Sequence, residues 1–130
     1  MTQQAESGVL VTLTGGQATA QLMAYKALPA IPQNISLTDR EPEEDHIRVR
    51  NFGTEAVDVS GWYILSERGG ELFVLPAGTV VNPGEVVVIS TLSSTVTGDV
   101  VWPEKKVWHK SKSDAAYLYD VYGRLVDTLE

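Results

Sequence analysis

At 130 residues, 43% of them hydrophobic, the chain is long enough for a single domain with its own core. It has no cysteine, which excludes a disulfide framework, a thiolate metal site and a cysteine nucleophile. The formal net charge is −7, and because residues 101–130 balance five basic against five acidic groups, the whole deficit lies in residues 1–100; a surface of that sign repels phosphate backbones, so non-specific DNA binding is not expected.

No apolar run approaches the roughly 20 residues that cross a bilayer, and no charged start leads into an apolar core and a small-residue cleavage site. Neither membrane insertion nor a signal peptide is expected in this stretch. Residues 1–7 are polar and unpatterned, a tail. Val9, Val11 and Leu13 alternate with polar or outward positions, and Gly15-Gly16 follows as a hairpin signal. Residues 17–28 read either as the second strand of that hairpin, favoured by the glycines, or as a short helix, favoured by Ala18, Leu22 and Tyr25 at helical spacing. Pro29 and Pro32 end this segment. We therefore divide the chain into an N-terminal extension, 1–34, and a domain, 35–130.

Ile35 and Leu37 begin a short strand. Residues 39–45, Asp-Arg-Glu-Pro-Glu-Glu-Asp, read as an acidic loop, since their charges repel and proline cannot donate to a ladder. Ile47 and Val49 then alternate with Arg48 and Arg50, predicting a half-buried strand with its arginines in water, paired with cross-strand acids such as Asp58. Asn51-Phe52-Gly53-Thr54 has turn chemistry, Val57 and Val59 form a second strand, and Gly61 ahead of Trp62 and Ile64 predicts a bulge or a close backbone approach. Leu72–Leu75 is a short strand closed by Pro76-Ala77-Gly78. Val80-Val81 runs into the turn Asn82-Pro83-Gly84, and Val86–Ile89 reads as a strand covered on both faces. A Ser/Thr-rich loop, a short strand at 100–102, a long polar connection over 103–113 and a closing hairpin over 116–129 complete the chain. About nine short strands at turn spacings of roughly 8–12 residues predict an all-β fold, an antiparallel sandwich of two packed sheets.

Arg50-Asn51-Phe52-Gly53, followed by Val57-Asp58-Val59-Ser60-Gly61-Trp62, resembles the lamin tail domain, the immunoglobulin-like domain of intermediate-filament tails. The turns at 75–84, the apolar strand at 86–89, and Asp114 to Asp120 with Gly123 to Asp127 resemble the later parts of the same pattern, so the likeness runs over roughly 35–129. Val59 stands where leucine is usual, residues 1–34 have no counterpart, and no heptad rod is present. The resemblance implies an immunoglobulin-like fold and no enzymatic activity. It further implies a binding or tethering role, bacterial and extracytoplasmic or cell-surface, as part of a larger protein.

The candidate chemical groups are few. His46, at a strand edge, and His109 both read as surface histidines. Around His109, Ser111 and Asp114 mimic a triad only superficially, because no nucleophile elbow accompanies them. The acids at 39–45 lack calcium-loop spacing and read as a solvated loop. No metal and no cofactor is expected. The one interaction candidate is the stretch Trp102, Lys105, Lys106, Trp108, His109, Lys110 and Lys112, in which four of the ten basic residues fall within eight positions. Basic residues interleaved with aromatics grip anionic polymers; alternatively Trp108 packs beneath the sandwich and the lysines keep the loop soluble. The expected function is a non-catalytic binding or tethering module for a protein or an anionic polymer. The alternative is a structural domain that self-associates through an edge strand or the N-terminal hairpin.

Overall fold

The alternation that predicts strands is realised throughout the domain. The computed structural model describes residues 28–130, so the N-terminal hairpin-or-helix expectation lies outside the described residues. Ile31–Glu130 form one compact unit. Among the described residues there are ten strands and no helix.

The first sheet has the order β1 (Ile35–Glu41), β2 (His46–Asn51), β7 (Val86–Thr91), β8 (Val100–Trp102). The second has the order β10 (Leu125–Leu129), β9 (Ala116–Tyr119), β4 (Tyr63–Ser66), β5 (Leu72–Val74). A two-stranded ribbon, β3 (Val57–Asp58) with β6 (Val80–Val81), forms a third, smaller sheet. Their inner faces share one core. Ile35, Leu37, Ile47, Val49, Val87 and Ile89 come from the first sheet, Ile64, Phe73 and Leu118 from the second. This is an all-β, immunoglobulin-like sandwich.

Four local expectations need correction. First, β1 runs on through Glu41 rather than ending before the acids. A register shift between Thr38 and Glu41, with Asp39 at φ 53°, lets the ladder continue, and the turn is confined to residues 42–45. Second, Arg48 pairs with Asp39 across β1 and β2 at 3.0 Å, not with Asp58. Asp58 belongs to the separate ribbon and accepts bonds from Ser60 instead. Third, Val86 and Val88 are only half-buried, so over residues 86–89 β7 is covered fully on its inner face alone. Fourth, β7 and β8 pair in parallel, the one parallel ladder among the described residues.

The parallel pair is joined by only residues 92–99, far shorter than an ordinary crossover. The return is possible because Gly98 presses directly on the sheet. A Cβ there would lie 2.8 Å from Val100 O and 2.9 Å from Ser90 N. Backbone cannot give way as a side-chain tip can, so Gly98→Ala should cost about 1–3 kcal/mol, read as a lowered urea midpoint. An unchanged midpoint would show that this return does not pack as described.

The Gly-Trp step is a turn rather than a bulge, and a neighbour does come close: a Cβ on Gly61 would lie 3.2 Å from Val121 Cγ2. Trp62 N donates to Val59 O at 3.0 Å, with Gly61 at φ 78° in the position that demands it. Trp62 then drops into the core, almost fully buried.

The Arg48 guanidinium beside Asp39 holds that carboxyl below its ordinary value near 3.8. A lowered folded value means the pair's contribution is present above the unfolded value and is lost as pH falls through the folded one. Both side chains are substantially exposed, so Asp39→Asn, which keeps tolerance for positive φ, should cost under about 1 kcal/mol at neutral pH, and less in high salt. Equal stability losses at pH 7 and pH 2 would rule out the ion pair as the cause.

Candidate functional site

The lysine- and tryptophan-rich stretch begins at the end of β8. Parallel pairing sets Trp102 level with Thr91, whose side chain faces the core. Trp102 is 1% exposed; it stacks on Phe73 at 5.5 Å and meets the edge of Trp108 at 5.7 Å. Trp108 is equally buried. Neither indole is a stacking platform for a ligand, as anion-polymer binding requires; both close one end of the core.

A buried carboxylate anchors the segment after Trp102. Asp45 closes the 42–45 turn ahead of β2 at a φ of 53°, and its side chain is buried. It accepts from Trp108 N at 2.8 Å, from Val107 N at 3.1 Å and from the Thr91 hydroxyl. Lys106 Nζ lies 3.3 Å from Asp45 and donates to Pro42 O at 3.0 Å. Lys110 reaches Glu43 at 3.6 Å. Two of the four lysines are thus turned towards the 42–45 acids. Lys105 and Lys112 make no ion pair among the described residues.

His109 is placed as a structural acceptor. Its Nδ1 accepts from Ser111 N at 3.2 Å and Lys112 N at 3.1 Å, so the proton of the neutral ring sits on Nε2. Asp114 does not touch the ring. It is buried and accepts from His109 N at 3.0 Å, Ser66 Oγ at 2.8 Å and Arg68 N at 3.0 Å. His, Ser and Asp are therefore neighbours without a relay: the ring lone pair is spent on backbone amides, and the carboxylate orients backbone rather than imidazole.

His46 is the clearest departure from expectation, since it is fully buried rather than on the surface. It pairs with Ser90, over which the 92–99 return passes at Gly98. Its Nδ1 is 3.7 Å from Glu44 Oε1, and neither ring nitrogen has a hydrogen-bond partner among the described residues.

Two further buried polar groups carry the fold. Asn51 donates to Val81 O at 2.9 Å and Glu55 O at 2.8 Å, and accepts from Gly53 N at 2.8 Å, tying the end of β2 to the ribbon. Asp120 accepts from Tyr122 N and Arg124 N, each at 2.9 Å, and from Arg124 Nε at 2.8 Å, shaping the last hairpin. Reading Asn51 as turn chemistry caught its bond from Gly53 N but not its ties to Val81 and Glu55, and reading Asp45 as one of a solvated run of acids missed its burial. The available signal was position for Asp114 and Asp120, which bracket an alternating strand; Asp45, in a turn at a φ of 53°, offered none.

Asn51, Asp114 and Asp120 lie in the stretches that resemble the lamin tail domain. A model described as the Lamin Tail Domain matches residues 29–130. The chain belongs to the lamin tail domain family. No curated protein matches it. The lamin tail domain is a non-enzymatic immunoglobulin-like family, and its motif residues here are structural: Asn51 and Gly53 shape one turn, Gly61 another, and Asp114 and Asp120 fix the ends of β9. Two surface clefts lie away from the lysine loop. One of about 300 Å³ adjoins Asn34, Asn51 and Thr54, and one of about 410 Å³ adjoins Thr79, Val86 and Asp99. Neither is lined by a histidine or a lysine.

Proposed function

We propose that this lamin tail domain is a non-catalytic binding or tethering module of a larger or cell-surface bacterial protein. The observation that carries the reading is how the reactive side chains are used. Asp45, Asp114, Asp120 and the His109 imidazole all hold backbone amides, an arrangement that spends acid–base groups on shape. Family membership supports the same reading. What such a module offers a partner is surface, displayed on a rigid sandwich.

The test is to fuse the chain to a fluorescent protein in a bacterial host and measure its retention in washed envelope and soluble fractions. Saturable retention, competed by excess unfused chain, is the expected result. In parallel, ester, phosphodiester and glycoside substrates are assayed. Turnover that disappears in His109→Ala would overturn the proposal, as would retention no different from that of the fluorescent protein alone.

A further inference from the structure

One row of the outward face of the second sheet is apolar across its full width. In-register pairing lines up Val74, Tyr63, Tyr119 and Leu125 in one row, taking one residue from each strand. The neighbouring row is Leu72, Leu65 and Tyr117, and it ends on β10 at Thr128. Leu72, Val74 and Leu125 are 53, 55 and 50% exposed, and the tyrosines between them are half-buried, with Tyr63 and Tyr119 stacked at 4.9 Å. Single exposed hydrophobic residues are common, but a continuous apolar surface across four strands marks an interaction site.

One end of this face is acidic: Glu67 Oε1 accepts from Ala115 N at 3.2 Å just ahead of β9, and Glu130 follows Leu129, the ladder partner of Ala116. Glu67, first, then burial and Glu130 raise the Tyr117 phenol above its usual value near 10. That sign selects among occupants. In a two-fold pairing of copies the same surface meets itself, so acidic rim would face acidic rim on chains already at −7. An anionic polymer meets the same repulsion. A partner with apolar side chains between basic ones gains on both counts.

We propose that the outer face of the β10–β9–β4–β5 sheet docks a polypeptide segment whose apolar side chains are flanked by lysines or arginines. The inference rests on the tethering reading and gives it a surface and a partner chemistry.

The probe is a peptide of alternating leucine and threonine with a lysine pair at each end, titrated into the ¹⁵N-labelled full chain. Two control peptides replace the lysines by glutamates or the leucines by serines. We expect amide shifts confined to β4, β5, β9 and β10. Binding should weaken by at least about tenfold for the glutamate peptide, as reversal of two rim contacts implies, and also for the serine peptide. The double variant Leu72→Ser/Leu125→Ser should abolish those shifts while melting as the parent does, since both side chains are half in water. Shifts centred on 103–113 instead, equal affinity for lysine and glutamate peptides, or concentration-dependent shifts of the face without peptide would each overturn the proposal, the last in favour of a second copy. So would no shift at all. The same double variant in the fluorescent fusion separates the two readings. Retention that survives the double variant, with the face unperturbed by peptide, sinks this inference and leaves tethering standing. Absence of retention in the parent fusion sinks tethering itself.

Discussion

Replacing Asp45 by alanine is expected to lower the unfolding free energy by about 3–5 kcal/mol. The carboxylate is buried and serves two backbone amides, one hydroxyl and one ammonium. Lys106 can turn to water when the acid is gone, because its side chain is 42% exposed. The amides of Val107 and Trp108 cannot, and each orphaned donor costs about 1–3 kcal/mol. Alanine is also strained at the φ of 53° that Asp45 adopts. Asp45→Asn keeps one acceptor oxygen and tolerates that φ, so it should lose less. Urea unfolding of both variants measures the effect. If Asp45→Ala falls within about 1 kcal/mol of the parent, the carboxylate is not what holds the segment after β8.

Trp62→Ala is the second large effect, expected at about 3–5 kcal/mol. Trp62 is 5% exposed and joins the cluster shared by both sheets. Its backbone is also engaged, with Leu75 N donating to Trp62 O at 2.8 Å, so the neighbouring chain is held in place and cannot collapse freely into the void. Thermal and urea melts report it. A variant that melts like the parent would remove Trp62 from the core and with it the role assigned to the Gly61 turn.

Those two residues also show what a sequence reveals. Trp62 was legible because it sits after a glycine and two positions before Ile64, so strand alternation puts those two on one face. Asp45 was not, because it ends a run of acids whose charge pattern reads as solvated, and only the pairing with Thr91 and Val107, 46 and 62 residues away, makes it a core group. His46 failed for the same reason: the segment that covers its ladder partner comes from the other side of β7. In the lysine-rich stretch, composition joined Trp102 and Trp108 to their basic neighbours, whereas the fold separates them, indoles inward and ammonium groups outward. The direction of β8 was likewise beyond local reading, since three apolar residues carry no sign of parallel or antiparallel pairing. The apolar face of the second sheet emerges only when four strands distant in sequence are set in register.

The pairing of β2 with β7 sets a schedule for synthesis. Between Asn51 and Val86 lie residues 52–85, and among the described residues no other strand pairs with the second edge of β2. At roughly 5–20 residues per second, a ribosome takes about 2–7 seconds to supply that partner. During that interval the β1–β2 hairpin has one edge open and Ile47 and Val49 uncovered, so the nascent chain is most exposed to strand-for-strand aggregation then. Arg48 and Arg50 alternate with those two residues along the waiting edge, and charges so placed discourage the wrong strand from adding until β7 arrives.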